Sequence, residues 1–116
     1  MPRGLLEYEQ EIDRLSGLVD KALSHLNKMT HEWAEADNEY RKAKALAYLA
    51  QEDGTVDEKK ANVDKVCEVE RLRAHLAESQ LKAAAQAVKA RSAQLSAAQS
   101  KLNAWKAERS WEQTKP

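Results

Sequence analysis

Phenylalanine is absent from this chain, and glycine, proline and cysteine number three, two and one among 116 residues. The prolines are Pro2 and Pro116, so no interior residue lacks the N–H that a helix needs, and little glycine is left from which to build loops. The single Cys67 excludes an internal disulfide and is read as a small buried hydrophobe in a reducing compartment. Nineteen basic side chains balance nineteen acidic ones, so no net field draws the molecule to nucleic acid or a membrane surface. No apolar run approaches the ~20 residues that span a bilayer, and no charged-apolar-small signal peptide opens the chain. The expectation is a soluble, cytoplasmic protein without a membrane partner.

What is abundant is Ala, Glu, Lys, Leu, Gln and Arg, with 33% of residues charged. That composition predicts long helices and an all-α fold. One stretch interrupts them: Glu52-Asp53-Gly54-Thr55-Val56-Asp57-Glu58. Gly54 is suited to the left-handed conformation that ends a helix, and Thr55 with Glu58 three residues on reads as a capping box. Asp57 and Glu58 place negative charge on the first turn, where the helix dipole favours it. The chain therefore reads as one domain, with helix 1 over about 5–51, a turn at 52–56, helix 2 over about 56–111 and a frayed tail at 112–116.

A heptad started at Leu5 gives an unbroken apolar seam: Leu5, Tyr8, Ile12, Leu15, Val19, Ala22, Leu26, Met29, Trp33, Ala36, Tyr40, Ala43, Ala47 and Ala50. A 3.5-residue repeat sustained this long predicts a coiled coil. Gly17 costs the helix roughly 1 kcal/mol relative to Ala without ending it. The second helix carries a matching seam through Val63, Cys67, Glu70, Ala74, Ala77, Leu81, Ala84, Val88, Arg91, Leu95, Ala98, Leu102 and Trp105, with Glu70 and Arg91 as polar interruptions.

An antiparallel hairpin pivoting at Thr55 with equal rise along both arms pairs Leu15 with Leu95, Tyr8 with Leu102, Met29 with Leu81 and Trp33 with Ala77. Large residues then face small ones, as dense packing requires. Tyr40 opposite Glu70 and Val19 opposite Arg91 are poorer layers, where the polar heads are expected to reach water. Leu18, Leu23, Leu46, Leu49, Val69, Leu72 and Leu76 fall outside the seams and would stay exposed in a lone hairpin. Covering them calls for a second copy, giving a homodimeric four-helix bundle.

The stretch Tyr40-Arg41-Lys42-Ala43-Lys44-Ala45-Leu46-Ala47-Tyr48-Leu49, followed by Gly54-Thr55-Val56-Asp57-Glu58-Lys59-Lys60-Ala61, resembles a group of small helical proteins encoded by tailed bacteriophages, notably those of actinobacteria. In that group an alanine-rich, Tyr-containing helix end runs into a Gly-Ser/Thr-Val turn and an acidic-basic helix start. The pattern is a turn and two caps over residues 40 to 61, and the tail with Trp105 and Trp111 has no counterpart in it. Genes of the group lie near replication or recombination genes. The resemblance implies an accessory role in the host cytoplasm and carries over no catalytic residue.

His31-Glu32-Trp33-Ala34-Glu35 superficially resembles the helical metalloprotease motif, but Glu35 stands where the second histidine belongs. The hairpin register brings His75 near His31 and Glu35, yet a coiled coil offers no cavity for a metal, and solvated side chains are the preferred reading. No phosphate loop, nucleophile elbow or Ser/His/Asp arrangement is present, so no enzyme activity and no cofactor are expected.

Charge is distributed unevenly. Residues 1–53 carry seven basic and eleven acidic side chains, residues 54–116 twelve and eight. Between Glu78 and Glu108 stand Lys82, Lys89, Arg91, Lys101 and Lys106 with no acid. One reading is a basic rail for a nucleic-acid backbone, with Trp105 or Trp111 for base stacking. The other, favoured at zero net charge, is that the rail faces Glu7, Glu9, Glu11, Asp13 and Asp20 across the hairpin. Trp33 is read as core, and Trp111, beyond the seam, as the aromatic that touches a partner. The expected function is non-enzymatic binding of another protein, with nucleic-acid binding by the basic arm as the alternative.

Overall fold

The computed structural model describes residues 4–114, which form three helices and no strand: α1 (Leu5–Leu49), α2 (Val56–Val66) and α3 (Glu68–Thr114). The chain divides into two compact units. Unit 1 joins residues 4–25 to 85–114, and unit 2 is Leu26–Ala84.

In unit 2 the chain reverses through residues 50–55. The capping box forms as its spacing predicts: Glu58 N–H donates to Thr55 Oγ1 at 3.2 Å, and Thr55 N–H donates to Glu58 Oε2 at 3.3 Å. Gly54 takes φ 116°, a conformation that a side chain would strain, and a Cβ there would lie 3.0 Å from Glu58 Oε2. Gly54 does not itself end the first helix, however. α1 stops at Leu49, two residues sooner than expected, and its last carbonyls are met by Ala50 N–H to Leu46 O at 3.0 Å and Gln51 N–H to Tyr48 O at 3.2 Å. This tightening of the final turn leaves Gly54 to steer the chain into the Thr55 cap. The Gln51 side chain ties the two sides together, donating to Lys59 O at 3.1 Å and accepting from Asn62 Nδ2 at 3.4 Å.

The return arm is not the single helix expected over 56–111. It breaks at Cys67, where φ is −100° and ψ 22°, although Cys67 N–H still reaches Val63 O and Arg71 N–H reaches Cys67 O, both at 2.9 Å. Neither proline nor glycine is present to cause the departure. It coincides with the most buried side chain among the described residues, Cys67 at 2% exposure. The C-terminal end also differs from expectation, since α3 continues through Glu112 to Thr114, whose hydroxyl donates to Ser110 O and Trp111 O. Of the tail expected to fray, Lys115 and Pro116 lie outside the described residues.

The seams are the interior of both units. Every residue of the α2–α3 seam is buried or half-buried, and so is every residue of the α1 seam from Tyr8 to Ala47. In unit 2 the core is Ala36, Ala74 and Ala77 with Trp33 and Tyr40 packed against them, so the bulky ring beside Ala77 is the large-on-small layer that the pattern predicts. In unit 1 Leu15 and Ala98 are buried, and the Tyr8 ring packs at 5.9 Å and 48° on Trp105, one turn beyond the expected Leu102. In unit 2 Arg73 reaches across to Glu39 at 2.8 Å. Both residues immediately precede seam positions, Tyr40 and Ala74, so the pair is a flank contact compatible with the expected seam register.

Of the two polar layers only that of Glu70 departs from expectation, and at one carboxylate oxygen; the Arg91 guanidinium keeps an exposed hydrogen bond. Glu70 Oε2 does not reach water: it and Arg71 Nε are shut off from solvent without a hydrogen-bond partner. Arg91 is half-buried and donates to Gln94 Oε1 at 3.1 Å. Leu18, expected to be exposed, is half-buried within unit 1.

Losing the Thr55 cap strands one N–H at the start of α2, so Thr55→Ala is expected to cost about 1 kcal/mol in urea unfolding followed by circular dichroism. Gly54→Ala is expected to cost at least as much, because the positive φ and the close Glu58 carboxylate act together.

Candidate interaction surfaces

The Glu39–Arg73 ion pair identifies one flank of unit 2, because both residues immediately precede a seam position, Tyr40 on α1 and Ala74 on α3. In an antiparallel pair such positions share one side. One heptad toward the turn, the corresponding residues are Leu46 and Val66. Val69 and Leu76 follow Val66 and Arg73 by three residues, one helical turn along the same flank, whereas Leu49 lines the groove on the other side. Leu76 lines a shallow groove with Glu39 and Arg73, which confirms its place there. The exposures are Leu46 70%, Leu49 78%, Val66 70%, Val69 75%, Leu72 55% and Leu76 60%. Leu46, Val66, Val69, Leu72 and Leu76 thus stand in water on or beside one flank of a small unit, and Leu49 toward the other. Five of these belong to the set that the heptad leaves outside the seams, and Val66 joins them as the residue preceding the Cys67 break. Leu18 and Leu23 belong to unit 1 instead.

The opposite flank of unit 2 follows the seam rather than preceding it, with Lys44 after Ala43 and Asp64 after Val63. Here Tyr40, Lys44, Ala45, Tyr48, Leu49, Lys60, Val63 and Asp64 line an open, mainly apolar groove of about 620 Å³. Lys44 Nζ lies 4.5 Å from the centre of the Tyr40 ring, and Lys59 Nζ lies 5.7 Å from that of Tyr48.

The basic side chains do not form one rail. Lys82 is in unit 2 and pairs with Glu78 at 3.3 Å, whereas Lys89, Arg91, Lys101 and Lys106 are in unit 1. Lys101 precedes the seam residue Leu102 and Lys106 follows Trp105, which sets them on opposite flanks. Lys101 lines a cleft of about 320 Å³ with Arg91, Arg14, Glu11 and Tyr8, while Lys106 lies beside Arg109 and Trp105 in another. Lys89, Lys101 and Lys106 are exposed and make no ion pair among the described residues; nor do Glu7, Glu9, Asp13 and Asp20. The favoured cross-arm pairing is therefore not realised as direct contacts for these groups. Glu11 is held on its own helix by Arg14, at 2.7 Å to Nη2 and 3.1 Å to Nε, and this hydrogen bond raises the Arg14 pKa above its ordinary value. Trp111 is 63% exposed, and Trp105 lies between the Tyr8 ring and the Arg109 guanidinium, which sits 4.8 Å from its centre.

His31 Nε2 and Glu35 Oε1 pair at 3.1 Å on the surface, but His75 does not complete a cluster: no group of three or more His, Cys, Asp or Glu among the described residues is placed to hold a metal. No described helix is long and apolar enough to cross a membrane. The chain matches no known protein family, no curated protein and no solved structure.

The burial of Cys67 sets its chemistry. Its thiol is expected to resist a water-soluble disulfide reagent in the folded protein and to react at once in denaturant, a contrast read directly from absorbance.

Proposed function

We propose that the protein acts without catalysis, as a helical interaction module that pairs with a second copy and presents its helices to another protein by extending the bundle. The exposed apolar residues Leu46, Val66, Val69, Leu72 and Leu76 on and beside the Glu39–Arg73 flank carry this reading. Exposed apolar patches of this kind mark association surfaces, since leaving them in water forgoes roughly 25 cal/mol per Å² of apolar area. The charges of the flank favour a second copy as the occupant. Lys42 and Glu35 are both exposed and lie about one turn to either side of Glu39 on α1. A two-fold axis across the helices near the Glu39–Arg73 pair sets Lys42 of one copy toward Glu35 of the other and brings Leu72 and Leu76 of the two copies together, as an isologous interface requires. The resemblance of residues 40–61 to phage proteins supplies a setting for the further partner: a phage replication or recombination factor, or a host protein, in the host cytoplasm.

A second reading, nucleic-acid binding, is favoured by the exposed and unpaired Lys89, Lys101 and Lys106. Their scatter over opposite flanks weighs against it.

Light scattering at micromolar concentration is expected to give about twice 13.1 kDa, and Leu72→Glu/Leu76→Glu to give the monomer mass with unchanged helical circular dichroism. A monomer mass for the unaltered chain removes the dimer. Anisotropy of labelled single- and double-stranded DNA is expected to show no saturable binding at physiological salt; tight binding at low salt that falls steeply as salt rises would instead establish the basic arm as the site.

A further inference from the structure

The groove on the other flank of unit 2 combines an apolar floor with a cationic rim. Tyr40, Tyr48 and Val63 form much of the floor, and its volume of about 620 Å³ lies in the range of ligand-binding clefts. Lys44 and Lys60 line it, and Lys59 stands over the Tyr48 face. None of the three lysines makes an ion pair among the described residues, so two ammonium groups rest on aromatic rings instead of carboxylates. Asp64 is the one acid in the lining. A cation over an exposed ring is held by only ~0.5–1 kcal/mol, so an arriving carboxylate competes for it readily.

We propose that this groove receives an acidic amphipathic helix of the partner protein, its apolar face against Tyr40, Tyr48 and Val63 and its carboxylates against Lys44, Lys59 and Lys60. Apolar anchors at i, i+3 or i+4, and i+7 match such an elongated trough, and flanking Glu or Asp completes the charge. The inference rests on the reading that the protein works by binding another protein. It is separate from the pairing of copies, since that uses the flank of Leu46 and Val66.

The test uses the full chain and a fluorescein-labelled helical peptide with Leu at i, i+4 and i+7 and Glu at the flanking positions, beside a twin carrying Lys in place of Glu. Anisotropy is expected to show saturable binding of the Glu peptide and none of the Lys peptide. Lys44→Glu/Lys60→Glu is expected to weaken it at least about tenfold. Should that variant lose helical circular dichroism, Lys60→Glu alone at an exposed position carries the test. Equal binding of both peptides, no binding of either, or indifference to the substitutions overturns the proposal. So does loss of the dimer mass in a folded Lys44→Glu/Lys60→Glu variant, which makes the second copy the occupant. Leu72→Glu/Leu76→Glu keeps the two readings apart: a monomer that still binds the Glu peptide upholds the groove, and a dimer of the unaltered chain that ignores the peptide sinks the groove alone.

Discussion

The structure depends on a limit of geometry: a helix packed against one other helix buries a single stripe. In unit 2 that stripe is a layer of Trp33 and Tyr40 against Ala36, Ala74 and Ala77, where small side chains let the backbones approach and the rings fill what remains. In unit 1 it includes buried Leu15 and Ala98 and the Tyr8–Trp105 pair. Neither stripe has room for Leu46, Leu49, Val66, Val69, Leu72 and Leu76, which remain in water. The proposed function starts from this excess, because apolar area beyond the capacity of the seam contributes nothing to the fold of one chain and is free for association.

The chain reversal is held by local chemistry that acts before any packing. The Thr55–Glu58 box, the positive φ of Gly54 and the bonds of Gln51 to the start of α2 bring the arms together at their closed end. Beyond the turn, Ala36, Ala74 and Ala77 pack with Trp33 and Tyr40 as the seam pattern predicts. Cys67 sits where α2 gives way to α3 as the most buried side chain among the described residues, with Glu70 Oε2 and Arg71 Nε shut off from water just beyond it. A buried polar atom without a partner carries a desolvation cost that the alanine-rich layers that follow do not.

Periodicity made the helices and their inner faces legible because a heptad repeat states which side chains turn inward without reference to anything distant. The capping box was legible for the same reason, being complete within four residues. The break at Cys67 was not, since neither proline nor glycine announces it. The Glu39–Arg73 pair was not singled out, because many exposed charges precede seam positions and periodicity does not say which of them meet. The charge pairing expected between the arms does not take the form of direct contacts: Glu11 bonds Arg14, three residues away on its own helix, while Glu7, Glu9, Asp13 and Asp20 make no ion pair among the described residues. The groove of Tyr40, Tyr48 and Val63 left no mark in the sequence beyond its separate parts, because it exists only once α2 lies beside the end of α1.

The most direct test of the central claim, that the flank of Leu46, Val66, Val69 and Leu76 is covered by a second copy, is a spin label at Leu76→Cys, with the shielded Cys67 left in place and unlabelled. Pulsed dipolar spectroscopy on the labelled protein is expected to show a short, narrowly distributed distance between copies, lost on dilution with unlabelled chain, and a spectrum of restricted motion. A mobile label with no dipolar coupling at concentrations well above micromolar would contradict it.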